Sequence, residues 1–390
     1  MLLNLCIIGL LALIFNAILE KLKLPGLLGM LIIGMAMGPN ALDLMNPVLM
    51  EVSMELREFA LIVILLRAGL GLRKKELNRV GKSAIKMSFI PGLCEGAAII
   101  AIAYFVLNFN IYEAGILGFT IAAVSPAVVV PQMLELKGKG IGKDKEIPTL
   151  VLAGASLDDV FAITIFSAFL SMYFNDSVNL LKQFVEIPVS ILFGIAIGIV
   201  IGVGLIVMYR RLKIRDTKKV LILLSVSILF NQIDDFVWAN SLLGIMAIGF
   251  ILLEYMPAVA NRLSAKMDKV WVFAEIILFV LIGAQVDFTV ALQTGAIGFV
   301  IIGVGLSARS MGVFISLLGS ELNYKERLFC VFSYFPKATV QAAIGAVPLS
   351  MGVAHGEEIL AIAVLSILVT APVGAIAIRI SAPKLLTRES

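Results

Sequence analysis

Asp158 and Asp159 stand side by side in "AGASLDDVFAITIF" at 153–166, a stretch otherwise apolar enough for the interior of a lipid bilayer. Burying even one carboxylate in such a setting is expensive, so two of them point to a use. Adjacent residues on a helix project about 100° apart, which keeps the pair from facing one small ligand together and divides their labour. Ser156, three residues before Asp159, lies on the same face and offers a neutral oxygen. Burial disfavours the charged form of a carboxylate and a nearby cation favours it, so such a group is suited to hold either a proton or a small cation. Hard oxygen donors suit Na⁺ and Li⁺, and the sequence offers no cluster of thiolates or imidazoles for a transition metal.

Other charges share that apolar setting. Arg67, Arg309 and Lys337 fall within apolar stretches, as does Glu95, while Glu58, Glu254 and Glu275 sit nearer the ends of theirs. Acids and bases buried together suggest paired charges lining a polar site or pathway. Several further features read as ordinary. Asp234 and Asp235 fall in a connecting loop where water solvates them, and "LKGKGIGKDKE" lacks the spacing and the Ser or Thr of a phosphate-binding loop. His355 is the sole histidine, in a short loop without metal-ligating company, and reads as a surface residue. Cys6, Cys94 and Cys330 are scattered and odd in number, which predicts neither a disulfide framework nor a metal site.

The elements that must position these residues follow from composition. The chain is 60% hydrophobic and 15% charged, with a mean hydropathy of +1.04, which predicts an all-α polytopic membrane protein. About thirteen apolar segments approach the ~20-residue length of a span. They fall near 2–18, 23–38, 56–72, 83–107, 112–132, 146–173, 184–208, 218–231, 240–256, 268–286, 294–318, 325–348 and 357–379. The first lacks a small-residue cleavage site and reads as a retained helix. Twenty-six of the 31 Lys and Arg residues fall in alternate loops, on one side. The positive-inside rule makes that side cytoplasmic, with the N-terminus outside and the C-terminus inside a plasma (inner) membrane. The net charge of +4 is then a topology signal and implies no nucleic-acid partner.

The chain also repeats itself. "GLLGMLIIGMAMG" at 26–38 resembles "SLLGIMAIGFILL" at 241–253, and "LLRAGL" at 65–70 lies over "VLIGAQ" at 280–285 at the same offset. The two copies enter the membrane from opposite sides, which is an inverted repeat. In this register the segments at 112–132 and 325–348 correspond, and both are interrupted: "SPAVVVP" carries Pro126 and Pro131, and "FPKATVQAAIGAVP" carries Pro336, Gly345 and Pro348. Each is expected to part into two half-helices in mid-membrane, whose ends bear partial charges that a side chain such as Lys337 can offset. One carboxylate contested by two cations, with access alternating between sides, amounts to antiport.

Residues 122–164, "AAVSPAVVVPQMLELKGKGIGKDKEIPTLVLAGASLDDVFAIT", closely resemble the NHA branch of the monovalent cation:proton antiporters, as do "FPKATVQAAIG" at 335–345, "RAGLGL" at 67–72 and "SILVTAPVGA" at 366–375. The resemblance runs in order along nearly the whole chain. It implies the sodium/proton antiporter fold, with two crossed discontinuous helices, and exchange of Na⁺ or Li⁺ for H⁺ by an elevator-type movement. It implies a single transporter domain over 1–390: a core bundle near 83–173 and 294–379, a dimerisation scaffold near 2–72 and 218–286, and a linker helix at 184–208. It further implies a homodimer, a role in pH homeostasis, no enzymatic activity and no cofactor beyond the transported ions.

By position in the resemblance, Asp159 is the principal ion-binding carboxylate and Asp158 its assistant. Lys337 is the lysine of the crossover, Arg309 the base on the preceding span, and Glu95 an acid paired with that arginine, its favoured role being to hold the core together. Ser125 is a candidate ion ligand, and Arg67 receives no role. Asp158 is expected to turn towards a neighbouring charge, with Lys337 the first candidate. The rival readings are a K⁺/H⁺ antiporter or K⁺ efflux system of the same superfamily, many of which carry a nucleotide-binding domain, and a sodium-coupled symporter, which would lack the aspartate pair. A remote third is an intramembrane aspartyl protease, whose two carboxylates must converge on one water, as helix neighbours do not.

Overall fold

A computed structural model describes residues 2–22, 24–71, 73–174, 180–233 and 241–387. Asp234 and Asp235 lie outside the described residues, and so does the side chain of Ser156. Among the described residues every regular element is helical, as lipid demands of a chain that must satisfy its own backbone hydrogen bonds. Six helical spans are long and apolar enough to cross a membrane: Gly81–Val106, Ile111–Gly138, Ile147–Phe174, Leu192–Arg211, Thr294–Ser316 and Gly356–Leu385. Each stretch predicted to span is helical over most of its length. Outward-facing side chains such as Phe105 and Val200 are large and apolar, a surface suited to acyl chains and costly in water.

The chain divides into two compact units. The first comprises residues 1–54, 80–176 and 278–390. It opens with α1 (Leu2–Lys21), α2 (Leu27–Met37) and α3 (Pro47–Glu51), and α1 packs on α2. Gly34 on α2 meets the chain at Val280 so closely that a Cβ there would lie 2.1 Å from the Val280 carbonyl oxygen. Backbone cannot yield as a side-chain tip does, so Gly34→Ala is expected to cost about 1–3 kcal/mol by overpacking, read as a lower melting temperature in detergent.

Most of α5 (Lys74–Val106) belongs to this unit, from beyond the break in its helical geometry at Gly81. Next come α6 (Ile111–Ile121), α7 (Pro126–Gly138) and α8 (Ile147–Phe174), and α8 packs against both of the others. The numbering of the unit resumes at α13 (Phe288–Ser316), α14 (Tyr324–Ser333), α15 (Thr339–Ile344), α16 (Val347–Ser350) and α17 (Gly356–Leu385). α17 packs against α13 and α14 and also touches α6 and α7.

The second unit comprises residues 55–79 and 177–277. It holds most of α4 (Ser53–Gly71), with α9 (Leu180–Arg211), α10 (Asp216–Gln232), α11 (Ser241–Tyr255) and most of α12 (Pro257–Ala284). α9 and α11 approach through glycines: a Cβ on Gly198 would sit 2.2 Å from the Gly244 carbonyl oxygen. Arg67 belongs here. Its Nη2 lies 2.8 Å from Asp268 Oδ1 and its guanidinium stacks 5.3 Å above Trp271, a partly exposed pairing. Glu58 accepts hydrogen bonds from Asn231 and Gln232, and Glu254 accepts one from the Lys74 amide.

The two interrupted segments share a construction. Asn110 and Glu113 form a reciprocal capping box that starts α6, and Asn323 and Glu326 form the same box at the start of α14. After α6 the chain unwinds over residues 122–125 before α7, and after α14 it unwinds over 334–338 before α15. The first break precedes Pro126, which sits at the first position of α7 where no amide is missed. Pro131, expected to help break this segment, lies inside α7 without parting it.

Candidate functional site

The two breaks cross. The Ser125 amide donates to the Pro336 carbonyl at 2.7 Å, and the Gln341 carboxamide donates to the carbonyls of Ile121 and Ala123, each at 3.1 Å. Ser125 Oγ stands 3.5 Å from Thr339 Oγ1, and the Lys337 amide donates to Thr370 Oγ1 on α17 at 2.9 Å. Gln341 thereby serves backbone acceptors that the end of α6 leaves without helical partners. A side chain of α15 that reaches both the end of α6 and the first break holds the crossing in register.

Five ionisable side chains converge beside this crossing, all of them buried. Glu95 on α5, Arg309 on α13 and Lys337 in the second break have no solvent exposure, and Asp158 and Asp159 on α8 are 1% and 6% exposed. Arg309 Nε donates to Glu95 Oε2, and Lys337 Nζ donates to the same oxygen. Arg309 Nη2 reaches Asp158 Oδ2 at 3.1 Å and also donates to the Ala122 carbonyl. The Val124 amide donates to Asp158 Oδ2 at 2.7 Å. Asp158 is therefore a clasp between the first break and Arg309.

One expectation is corrected here. Asp158 pairs with Arg309, while Lys337 is taken by Glu95. One base comes from α13 and the other from the second break, and Glu95, on α5 rather than α8, accepts from both at one oxygen. The Glu95–Arg309 pair is present as the resemblance implied. Ser125 lies at the crossing, its hydroxyl directed to Thr339.

Asp159 differs from its four charged neighbours. No ion pair reaches it among the described residues, and its Oδ1 is buried there without a hydrogen-bond partner, as are Glu95 Oε1 and Arg309 Nη1. Two cations and two carboxylates balance one another, so Asp159 carries the one unmatched formal charge of the cluster. A charge so placed needs compensation by a proton or a cation.

His355 stands in the turn before α17, part-exposed as its surface reading expected, with one face of its ring covered. The ring stacks on Phe109 at 4.2 Å, with Nδ1 3.4 Å from Glu358 Oε1. Sequence reading also passed over Gln341, Thr339, Thr370 and Tyr334. A lone glutamine in the apolar run "TVQAAIGAV" was the available signal.

Comparison with known proteins places this arrangement in context. The family model described as "Sodium/hydrogen exchanger, transmembrane" matches residues 9–382. Human sodium/hydrogen exchanger 9B2 is 34% identical over 390 residues, covering 94% of this chain and 70% of that protein. Human sodium/hydrogen exchanger 9B1 is 31% identical over 355 residues, covering 85% and 67%. The solved sodium proton antiporter MjNhaP1 from Methanocaldococcus jannaschii, at 20% identity, superposes with a TM-score of 0.85 over 98% of this chain and 97% of its own. That likeness is one of fold.

Proposed function

We propose that this chain, which belongs to the sodium/hydrogen exchanger family of multi-pass membrane proteins, exchanges Na⁺ or Li⁺ for H⁺, with Asp159 holding either ion in turn. The observation that carries this reading is the charge balance of the cluster. Glu95, Arg309, Lys337 and Asp158 are joined to one another by ion pairs, and Asp159, in no ion pair among the described residues, is left to be neutralised by a cargo.

The exchange follows from that imbalance. Empty and ionised, Asp159 makes the helices around it unfavourable to carry past an apolar seal. Loaded with one proton or one Na⁺, it is neutral, and the carrier can re-orient. Only loaded carriers move, so each passage of Na⁺ one way is matched by a proton the other way. A guanidinium keeps its proton at any working pH, so Arg309 contributes no second proton, and the exchange is one for one and electroneutral. Asp158 positions the first break against Arg309 through the Val124 amide, and Ser125 stands at the crossing to supply a neutral oxygen to the ion.

We further assign the alternating access to an elevator-type movement of the helices in 83–173 and 294–379. The scaffold is formed near 2–72 and 218–286, linked by 184–208 and paired in a homodimer. The N-terminus lies outside and the C-terminus in the cytoplasm of a plasma membrane, where the exchange serves pH homeostasis.

Proteoliposomes with an internal pH dye test the reading. External Na⁺ or Li⁺ should alkalinise the lumen at a rate that clamped membrane potential does not change. A response to K⁺ alone would favour the K⁺/H⁺ alternative, and a voltage-dependent rate would contradict one-for-one exchange.

A further inference from the structure

Tyr334, the residue that ends α14 at the second break, has no solvent exposure, and its hydroxyl lacks a hydrogen-bond partner among the described residues. A buried phenol is normally placed where its O–H finds a partner, and one left without is costly. Its position is also built into a neighbour: a Cβ on Gly154 of α8 would lie 2.1 Å from the hydroxyl oxygen, so only glycine admits it. Gly154 is one helical turn before Asp158, and helix side chains lean towards the N-terminus. The Asp158 carboxylate thus leans back towards the turn on which the hydroxyl rests. Arg309 closes the other side, its guanidinium 5.7 Å from the Tyr334 ring, and both aspartates act electrostatically on the phenol.

Three elements thus meet at an uncharged hydroxyl that makes no structural bond, in the same charged cluster as a carboxylate oxygen, Asp159 Oδ1, that also lacks a partner among the described residues. We propose that the Tyr334 hydroxyl is a specificity-determining member of the ion site, hydrogen-bonding a water that the cation retains when it binds at Asp159. This rests on the exchange reading above. A protonated Asp159 brings no hydrated ion, so the hydroxyl favours the cation-loaded form over the protonated one. A hard cation seldom sheds its whole shell for protein oxygens, and a fixed neutral hydroxyl holds a shell water without adding charge.

Tyr334→Phe keeps the ring beneath Arg309 and removes the oxygen alone. In the proteoliposome assay its apparent KM for Na⁺ should rise about threefold to tenfold, the worth of one hydrogen bond. The maximal rate and the detergent melting temperature should stay near wild type, and the pH at which protons begin to inhibit should move upward. A purely structural hydroxyl would instead leave KM and pH profile unmoved. Gly154→Ala should lower the melting temperature, and adding Tyr334→Phe should restore it while keeping the raised KM, which checks the geometry separately. Wild-type KM and pH profile in Tyr334→Phe, with Asp159→Asn inactive beside it, would overturn this inference and leave the exchange reading standing. A wild-type protein in which Na⁺ moves no protons would overturn both.

Discussion

Asp159→Asn is expected to reduce Na⁺-driven proton movement to the background of protein-free vesicles while leaving the protein folded. The carboxamide matches the carboxylate in size, but it neither carries a negative charge nor exchanges a proton near neutral pH. Both half-reactions fail together. Stability should hold or improve, because the substitution removes the one buried charge of the cluster that has no partner among the described residues. The check is a pairing of the transport assay with a detergent melting curve. Loss of transport together with a sharp loss of stability would instead mark Asp159 as a structural acid.

Glu95→Ala should show the opposite pattern. Glu95 Oε2 accepts from both Arg309 and Lys337, and without it Lys337 keeps no carboxylate in the described network, while Arg309 keeps only Asp158. Removing one partner of a buried ion pair commonly costs about 3–5 kcal/mol, because the other charge remains buried. Lys337 is stranded here and Arg309 is left with one acid, so the expected result is a large fall in melting temperature and in yield. Replacing Glu95 and Lys337 together by methionine should recover much of the loss, since Arg309 retains Asp158 and no unmatched ammonium remains. Full stability of Glu95→Ala alone would mean that the three charges do not form the network described.

The helices were legible in the sequence because apolar runs of spanning length leave few alternatives, and the paired interruptions announced themselves through Pro126 and Pro336. The matching capping boxes, Asn110 with Glu113 and Asn323 with Glu326, were not read from the sequence, because Asn-x-x-Glu spacing is common and only the structure shows both bonds of each box. The charged residues of the site could be picked out because ionisable groups within apolar runs are few. Their pairing could not. Whether Lys337 or Arg309 reaches Asp158 depends on side-chain reach across four packed helices, and spacing along the chain carries no such distance. Gln341 and Tyr334 stayed hidden for a related reason: an uncharged polar residue in an apolar run becomes informative only when its hydrogen-bond partners, or their lack, are known. The stacking of Phe109 on the His355 ring stayed hidden because nothing local in the sequence brings the two together.

In the exchange proposed here, Asp159 holds a proton or Na⁺ but never both at once. The initial rate of Na⁺-driven proton movement, measured over a matrix of external Na⁺ concentrations and pH values, tests this most directly. If one carboxylate is the shared site, acidification raises the apparent KM for Na⁺, approaching about tenfold per pH unit once the protonated form dominates, with the maximal rate unchanged. A KM that stays constant as pH falls while the maximal rate declines would mean that proton and cation occupy separate groups, and would contradict a single exchanging aspartate.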